Sequence, residues 1–149
     1  MTIKEFLNQA YEFNKDIESN KLQIERLRVI AEYVSMPESI KIHGQSYKKP
    51  DHLENTVALI VDLEAEIIDD IRKYVKAIKN IRRVVNLVSD QKLKLILQNR
   101  YLNFMKWHEI AGNFGCSVRW ILQLHGSALI EAEKHFTKLH LDKRGMIGL

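Results

Sequence analysis

Apolar residues recur at alternating steps of three and four along two long stretches of the chain. In the first stretch, Asn20 is the polar exception in the series Ile3, Phe6, Ala10, Phe13, Ile17, Asn20, Ile24, Leu27, Ala31 and Val34. In the second, Glu64 is the exception in the series Leu53, Val57, Ile60, Glu64, Ile67, Ile71, Tyr74, Ile78, Ile81, Val85 and Val88. This spacing is typical of helices that pack along a coiled-coil-like seam. We therefore predict two long helices, each of roughly 30 residues or more.

Both prolines of the chain lie between the two stretches, in residues 35–52. Pro37 is expected to end the first helix and Pro50 to precede the second, because proline lacks a backbone donor and disfavours helix in the residue before it. Two stripes of similar length around one hinge predict a coiled-coil-like hairpin, formed either within one chain or between two chains as a homodimer. Asn20 and Glu64 either fix the register of this pairing or face water.

The apolar residues of the last third of the chain do not continue this heptad spacing and instead predict shorter helical segments. A helix over residues 90–102, capped by Ser89 or Asp90, carries one apolar face made of Leu93, Ile96, Leu97 and Tyr101. A short helix follows at 106–113, and a third begins at Val118. Between them, Gly115 suits a left-handed turn residue and Ser117 suits the N-cap of the third helix. This order is that of a helix-turn-helix, in which the second helix of the motif enters the DNA major groove.

The two helices on either side of Gly115 are expected to bury one set of side chains and to expose another. The expected core residues are Trp107, Ile110, Ala111, Phe114, Cys116, Ile121 and Leu124. The side chains left facing outward, and so the candidates for base contacts, are Val118, Arg119, Trp120, Leu122 and Gln123. Arg119 suits guanine and Gln123 suits adenine, while Val118 and Leu122 would meet thymine methyl groups or be covered by protein. A glycine within the third helix, Gly126, is expected to mark a close packing approach.

These residues resemble region 4 of sigma-70-type factors over about the last third of the chain. The resemblance is carried by Arg100-Tyr101, Glu109-Ile110-Ala111, Gly115-Cys116-Ser117, Ile121, Leu124 and Ala128-Leu129. With the N-terminal helix, the proline-containing joint and the segment VDLEAEIIDDI, nearly the whole chain is similar to small phage-encoded proteins of the kind that includes the ArpU/RinA-type regulators of late phage transcription. The resemblance implies a helical extension joined to a DNA-binding domain, acting in transcription in the cytoplasm of a bacterial host. Arg119 and Gln123 fit the family pattern, whereas Val118 and Leu122 stand where polar residues are expected.

The distribution of charged residues along the chain also indicates a contact with nucleic acid. Residues 51–71 hold seven acidic residues and no Lys or Arg, whereas 72–100 hold nine Lys or Arg and one acidic residue, although the net charge of the chain is only +4. This asymmetry favours a segment that faces nucleic acid, the alternative being a solvated helix. The candidates for phosphate contacts are Lys92, Lys94, Arg100, Lys106 and Ser117.

Composition excludes several other classes. With 6 Gly and 2 Pro in 149 residues, turn formers are too few for an all-β fold, and 1 Cys excludes a disulfide framework. No apolar run has the length of about 18 residues that a membrane span needs, and the N-terminus lacks the apolar stretch of a signal peptide. No metal-ligand spacing, phosphate loop or nucleophile motif is present, so we predict neither catalytic residues nor a metal or other cofactor, and no enzyme.

The sequence thus predicts an all-α protein with the long-helix pair in residues 1–88, a sigma region 4-like helix-turn-helix domain of three helices in 89–141, and a tail in 142–149. The favoured function is a transcriptional regulator that binds double-stranded DNA at phage late-gene promoters. Two alternatives stay open. One is a module that binds RNA polymerase or a sigma factor without reading DNA itself, and the other is a DNA-packaging component like the small terminase subunit.

Overall fold

All regular elements in the described part of the chain are helices. The computed structural model describes residues 1–37, 39 and 50–147, and the side chains of 1–37, 39 and 53–140. The helices are α1 (Ile3–Ser35), α2 (Pro50–Val85), α3 (Gln91–Leu97), α4 (Trp107–Phe114) and α5 (Val118–Ile147). A π-helical turn at Gln98–Leu102 continues α3. The predicted all-α class is confirmed, and none of the described helices has the length and apolar character needed to span a membrane.

The two long helices are confirmed, at 33 residues for α1 and 36 for α2. α1 ends two residues before Pro37, as expected. Pro50 is the first residue of α2 rather than the residue before it. A proline fits there because the first backbone N–H groups of a helix have no partner inside it. Residues 38 and 40–49 of the predicted hinge lie outside the described residues.

The predicted seam of α1 is confirmed, because all ten of its positions are buried or half-buried. The predicted seam of α2 is wrong at three positions, and its other eight positions are buried or half-buried. The less exposed positions are Thr56, Leu63, Asp70 and Ala77, whereas Val57, Glu64 and Ile71, each one residue further on, are exposed. At positions 56 and 70 the less exposed residue is polar, so apolar spacing alone selects its neighbour instead.

Asn20 and Glu64, the two polar residues of the predicted seams, differ in their exposure to solvent. Asn20 is half-buried, and its side-chain amide donates a hydrogen bond to Glu66 Oε2 at 3.4 Å. Glu64 is exposed and lies 3.0 Å from the guanidinium of Arg28, so it is not part of the seam. Both side chains of that ion pair remain about half in water, and exposed pairs of this kind contribute little to stability.

The chain divides into two compact units, one made of residues 13–73 and the other of residues 1–12 together with 74–149. We call them the small and the large unit. The small unit consists of parts of α1 and α2 and includes the two contacts just described. The large unit combines the start of α1 and the end of α2 with α3, α4 and α5.

The start of α1 belongs to the core of the large unit. The rings of Phe6 and Phe136 lie with their centroids 4.7 Å apart, which brings the first turns of α1 onto α5. Buried residues from α1, α2, the segment after α2, and α5 continue this core, and they are Leu7, Ala10, Ile81, Val84, Val85, Val88, Ala128 and Ala132. Their small and branched side chains allow the helices to approach closely.

Candidate nucleic-acid interface

A tight turn joins α4 to α5 and is built around Gly115. Its backbone is left-handed, at φ 63° and ψ 33°, a conformation that only glycine adopts without a steric penalty. The N–H of Gly115 donates to the carbonyl of Gly112 at 3.2 Å, and the N–H of Cys116 donates to that of Ala111 at 3.1 Å. This pair of bonds is a Schellman motif, which satisfies the last carbonyls of α4. The predicted role of Gly115 is confirmed.

Both helices around this turn are capped at their N-termini. The hydroxyl oxygen of Ser117 accepts a hydrogen bond from the N–H of Trp120 at 3.1 Å, so the predicted N-cap of α5 is confirmed. At the start of α4, the carboxylate of Glu109 accepts from the N–H of Lys106 at 2.8 Å. The glutamate of the Glu-Ile-Ala segment therefore fixes the start of its own helix.

A compact apolar cluster sets the angle between α4 and α5. Its buried members are Ile96, Ile110, Ala111 and Ile121, against which Met105, Trp107, Phe114, Cys116 and Leu124 are packed. All the core residues predicted for these two helices belong to this cluster. Cys116 is half-buried rather than fully buried.

The side chains predicted to contact bases are exposed on the first two turns of α5. Val118, Trp120 and Leu122 have 38%, 48% and 45% of their surface in water, and Arg119 and Gln123 are exposed as well. By helical spacing, positions 118, 119, 122 and 123 share one face, since residues three and four apart are neighbours on a helix. Trp120 lies to the side of that face.

The predicted phosphate contacts differ in their surroundings. Lys92 is exposed, and its Nζ lies 6.0 Å from the ring centroid of Phe114, at the end of α4. Lys106 is exposed and Lys94 is half-buried. Lys92 of α3 thus lies near the end of α4, and Ser117 lies at the start of α5.

Arg100 has partners inside the large unit. Its Nη1 donates to the backbone carbonyl of Met105 at 3.1 Å, and its guanidinium carbon lies 4.6 Å from the ring centroid of Trp107. Arg100 and Lys106 also line a pocket of about 340 Å³ together with Tyr11, Glu12 and Phe104. Arg100 therefore stabilises the segment between the π-helical turn and α4.

A buried polar contact behind α4 was not predicted. His125 is 6% exposed, and its Nε2 lies 2.7 Å from the hydroxyl of Tyr101. Its ring makes an edge-to-face contact with the ring of Trp107, with 4.6 Å between the centroids and 64° between the planes. Burial, followed by the positive charges of Lys4 and Arg100, lowers the pKa of His125 to about 4. Burial also raises the pKa of Tyr101 above its ordinary value.

A second unpredicted contact connects α5 to the segment between α2 and α3. The carboxylate of Glu131 accepts from the backbone N–H of Ser89 at 2.8 Å and from the Ser89 hydroxyl at 2.9 Å. These hydrogen bonds lower the pKa of Glu131. The next residue, Asp90, caps α3 by accepting from the N–H of Leu93 at 3.0 Å, so of the two predicted caps it is Asp90 that serves.

Gly126 does not mark a close approach within the chain, which corrects the expectation from sequence. A Cβ placed there would meet nothing within 4 Å, and the residue is exposed on α5. It follows Arg119 by seven residues and so lies on the same side of the helix. No group of three His, Cys, Asp or Glu side chains suited to a metal ion occurs within the described ranges.

Comparisons of the chain with protein-family models, with curated proteins and with solved structures found no match.

Proposed function

We propose that this chain is a phage-encoded transcriptional regulator that binds double-stranded DNA, acts on late-gene promoters in the bacterial host cell and has no catalytic role. The observation that carries the proposal is the geometry of the α4–α5 segment. A left-handed Gly115, the Ser117 cap and the shared Ile110–Ile121 core hold the first turns of α5 in place while Arg119 and Gln123 remain exposed. A helix-turn-helix requires this combination of a fixed second helix and a free outer face.

In this proposal α3, α4 and α5 form a sigma region 4-like domain, and the start of α5 enters the major groove. Arg119 pairs with the acceptor edge of a guanine and Gln123 with an adenine, by the usual edge geometry. Val118 and Leu122 contact thymine methyl groups. Four base-facing residues on one side of a helix match the number that a single recognition helix uses.

Lys92 and Lys106 are the proposed phosphate contacts with the clearest access, because both are exposed beside α4. Lys94 and Ser117 are weaker candidates, since Lys94 is half-buried and the Ser117 hydroxyl already accepts a hydrogen bond. Arg100 is bonded to Met105 and stacked on Trp107, so its contribution is to the shape of the domain. Phosphate contacts give affinity and salt dependence, whereas Arg119 and Gln123 give sequence preference.

The long helices complete the proposed architecture. We assign α1 and α2 to a coiled-coil-like hairpin within one chain. Its support is the pair of contacts Asn20–Glu66 and Arg28–Glu64, both made between the two helices of the same chain.

The test is a binding titration on labelled phage late-promoter DNA at several salt concentrations. Arg119→Ala is expected to cost about 1–3 kcal/mol on the preferred sequence and to relax the preference at one base pair. Lys92→Ala is expected to weaken binding to all sequences and to lower the salt slope by about 1. Arg26→Ala, at an exposed arginine of α1, is the matched control and should change neither quantity. A wild-type chain without salt-sensitive DNA binding would contradict the proposal.

A second candidate function is a module that binds RNA polymerase or a sigma factor. The observation in its favour is the exposure of three large apolar side chains, Val118, Trp120 and Leu122, at the start of α5. Val118 and Leu122 are neighbours on one face of the helix, and neighbouring exposed apolar residues are more typical of protein contacts than of a phosphate-facing surface. If purified polymerase binds the wild type and the Arg119→Ala variant equally, but not a Leu122→Asp variant, this second function is the right one.

A further inference from the structure

α2 carries a second apolar stripe that no part of the described chain covers. The stripe consists of Val57, Val61, Ile68, Ile71 and Val75, which are between 44% and 58% exposed. Glu64 occupies the one polar position in the series, so the steps from 57 to 75 alternate between four and three. This is the spacing of a helix that packs along another helix. Over these residues the stripe is about 27 Å long at about 1.5 Å per residue.

The stripe is distinct from the side of α2 that is buried within the chain. Leu63 and Ala77 are buried, at 7% and 4% exposure, and they lie two residues after the stripe members Val61 and Val75 respectively. One residue corresponds to about 100° around a helix. The second stripe therefore points to a side of α2 that α1 leaves open.

The charges along α2 change sign partway along the stripe. Every charged residue from 54 to 70 is acidic, and every charged residue from 72 to 83 is basic. On the flank of the stripe away from the buried side, Asp62 and Asp69 are followed by Arg72, Lys76, Lys79 and Arg83, all of them exposed. A partner that covers the whole stripe must therefore offer basic groups to one half and acidic groups to the other.

We propose that the partner is a second copy of this chain, with the two α2 helices packed antiparallel along this stripe. An antiparallel arrangement places the acidic half of each helix beside the basic half of the other, whereas a parallel one places like charges together. The heptad positions then layer Ile68 of one copy on Ile71 of the other, and the two-fold axis passes between these residues. Helix dipoles are also better matched when neighbouring helices run in opposite directions.

Duplex DNA does not fit the same surface. Its phosphates would match Arg72, Lys76, Lys79 and Arg83 but would be repelled by Asp62 and Asp69, and five exposed apolar side chains would gain nothing from them. A second copy satisfies both the charge pattern and the apolar stripe. This self-association is independent of whether α5 reads DNA.

Sedimentation of the full chain, over a range of concentrations, tests the proposal. We expect the wild type to reach twice the 17.5 kDa mass of one chain. Ile68→Asp should raise the dissociation constant of the dimer about tenfold or more, because the two-fold axis brings two unpaired carboxylates into an apolar contact. Leu59→Asp is the matched control, since Leu59 is 47% exposed on the same helix but lies off the stripe, and it should leave the dimer intact. Circular dichroism reports whether each variant is folded.

The orientation is tested by cross-linking single cysteines in a Cys116→Ala background with a bismaleimide that spans about 10 Å. In the antiparallel dimer, two cysteines from Ile71→Cys lie near the axis and should be linked. Two from Val57→Cys lie about 37 Å apart, at about 1.5 Å per residue, and should not. Linking of both pairs would show a parallel dimer and overturn the proposal. So would a wild type that stays monomeric, a ring of many subunits, or a dimer that Ile68→Asp leaves unchanged.

Discussion

The hydroxyl of Tyr101 and Nε2 of His125 lie 2.7 Å apart and connect the π-helical turn after α3 to the middle of α5. The two residues are 24 positions apart in sequence. The His125 ring also packs against Trp107, the first residue of α4, so His125 contacts both the π-helical turn after α3 and α4. It supports the first turns of α5 from the buried side.

The stability of the fold should depend on pH through His125. Its pKa falls from an ordinary 6.5 to about 4 in the fold, so between these values the unfolded chain binds the proton more readily than the folded chain. The free energy of unfolding should therefore decrease as the pH falls from about 6.5 towards 4, by up to about 1.4 kcal/mol per pH unit from this group. Above pH 6.5 the contribution is constant.

Urea unfolding of the wild type and of His125→Phe at a series of pH values measures this effect. The variant lacks the titrating group, so its stability should vary less over the same interval. Equal slopes for the two proteins would show that His125 titrates normally in the fold.

Removing the partner of His125 should also destabilise the large unit. Tyr101→Phe leaves a buried imidazole nitrogen without its hydrogen bond, which costs about 1–3 kcal/mol in the free energy of unfolding. Tyr74→Phe, at a half-buried tyrosine of α2, is the control for loss of a hydroxyl alone. Chemical denaturation of both variants gives the comparison, and equal losses would mean that the Tyr101–His125 contact contributes nothing specific.

Local sequence chemistry was enough to predict the geometry of the α4–α5 turn. Gly115, Ser117 and the start of α5 at Val118 are all as expected, because the left-handed residue and the N-cap depend on neighbours only a few residues away. The seam of α1 was predictable for a similar reason, since a single heptad frame fits its apolar residues. The exposure of Arg119 and Gln123 then follows from the burial of Ile121.

Contacts between distant segments were not predictable in this way. Nothing in the spacing of Tyr101 and His125, or of Ser89 and Glu131, indicates that they meet, because these pairs depend on how α5 packs against the rest of the large unit. Part of the α2 seam was predicted wrongly, because over residues 56–71 the structure uses a heptad frame shifted by one residue, with Thr56, Leu63 and Asp70 on the inner side in place of Val57, Glu64 and Ile71. Choosing between such frames requires the shape of the partner helix, which apolar spacing alone does not contain.

Glu64 should weaken the proposed dimer, and replacing it should strengthen the association. It is the one polar residue in the exposed stripe of α2, and its ion pair with Arg28 is exposed and of little value to stability. Glu64→Leu should therefore lower the dimer dissociation constant while changing the free energy of unfolding of the monomer by less than about 1 kcal/mol. Sedimentation measures the first quantity and dilute urea unfolding the second. Weaker association of this variant would mean that Glu64 makes a favourable contact across the interface.

Alanine substitution should have opposite effects at two glycines of the α4 region. Gly115→Ala is expected to lower the free energy of unfolding by about 1–2 kcal/mol, because φ at this position is 63° and a Cβ is strained there. Gly112→Ala, three residues earlier within α4, should raise it by about 0.5–1 kcal/mol, since a Cβ meets nothing within 4 Å and helix propensity improves. Thermal unfolding of the pair separates turn strain from helix propensity, and a Gly115→Ala variant as stable as the wild type would contradict the left-handed turn.

Gly126 offers a test that joins stability to the proposed DNA contact. It is exposed in the middle of α5, where glycine is less favourable than alanine by about 1 kcal/mol, and a Cβ there would meet nothing within 4 Å. Gly126→Ala should thus stabilise the free chain by about 0.5–1 kcal/mol.

Gly126 also lies on the side of α5 that carries Arg119 and Gln123, so a bulkier Gly126→Leu should reduce DNA affinity if that side approaches the duplex. Urea unfolding and the promoter-binding titration measure the two effects. If Gly126→Leu binds DNA as tightly as the wild type, the contact with DNA is restricted to the first two turns of α5.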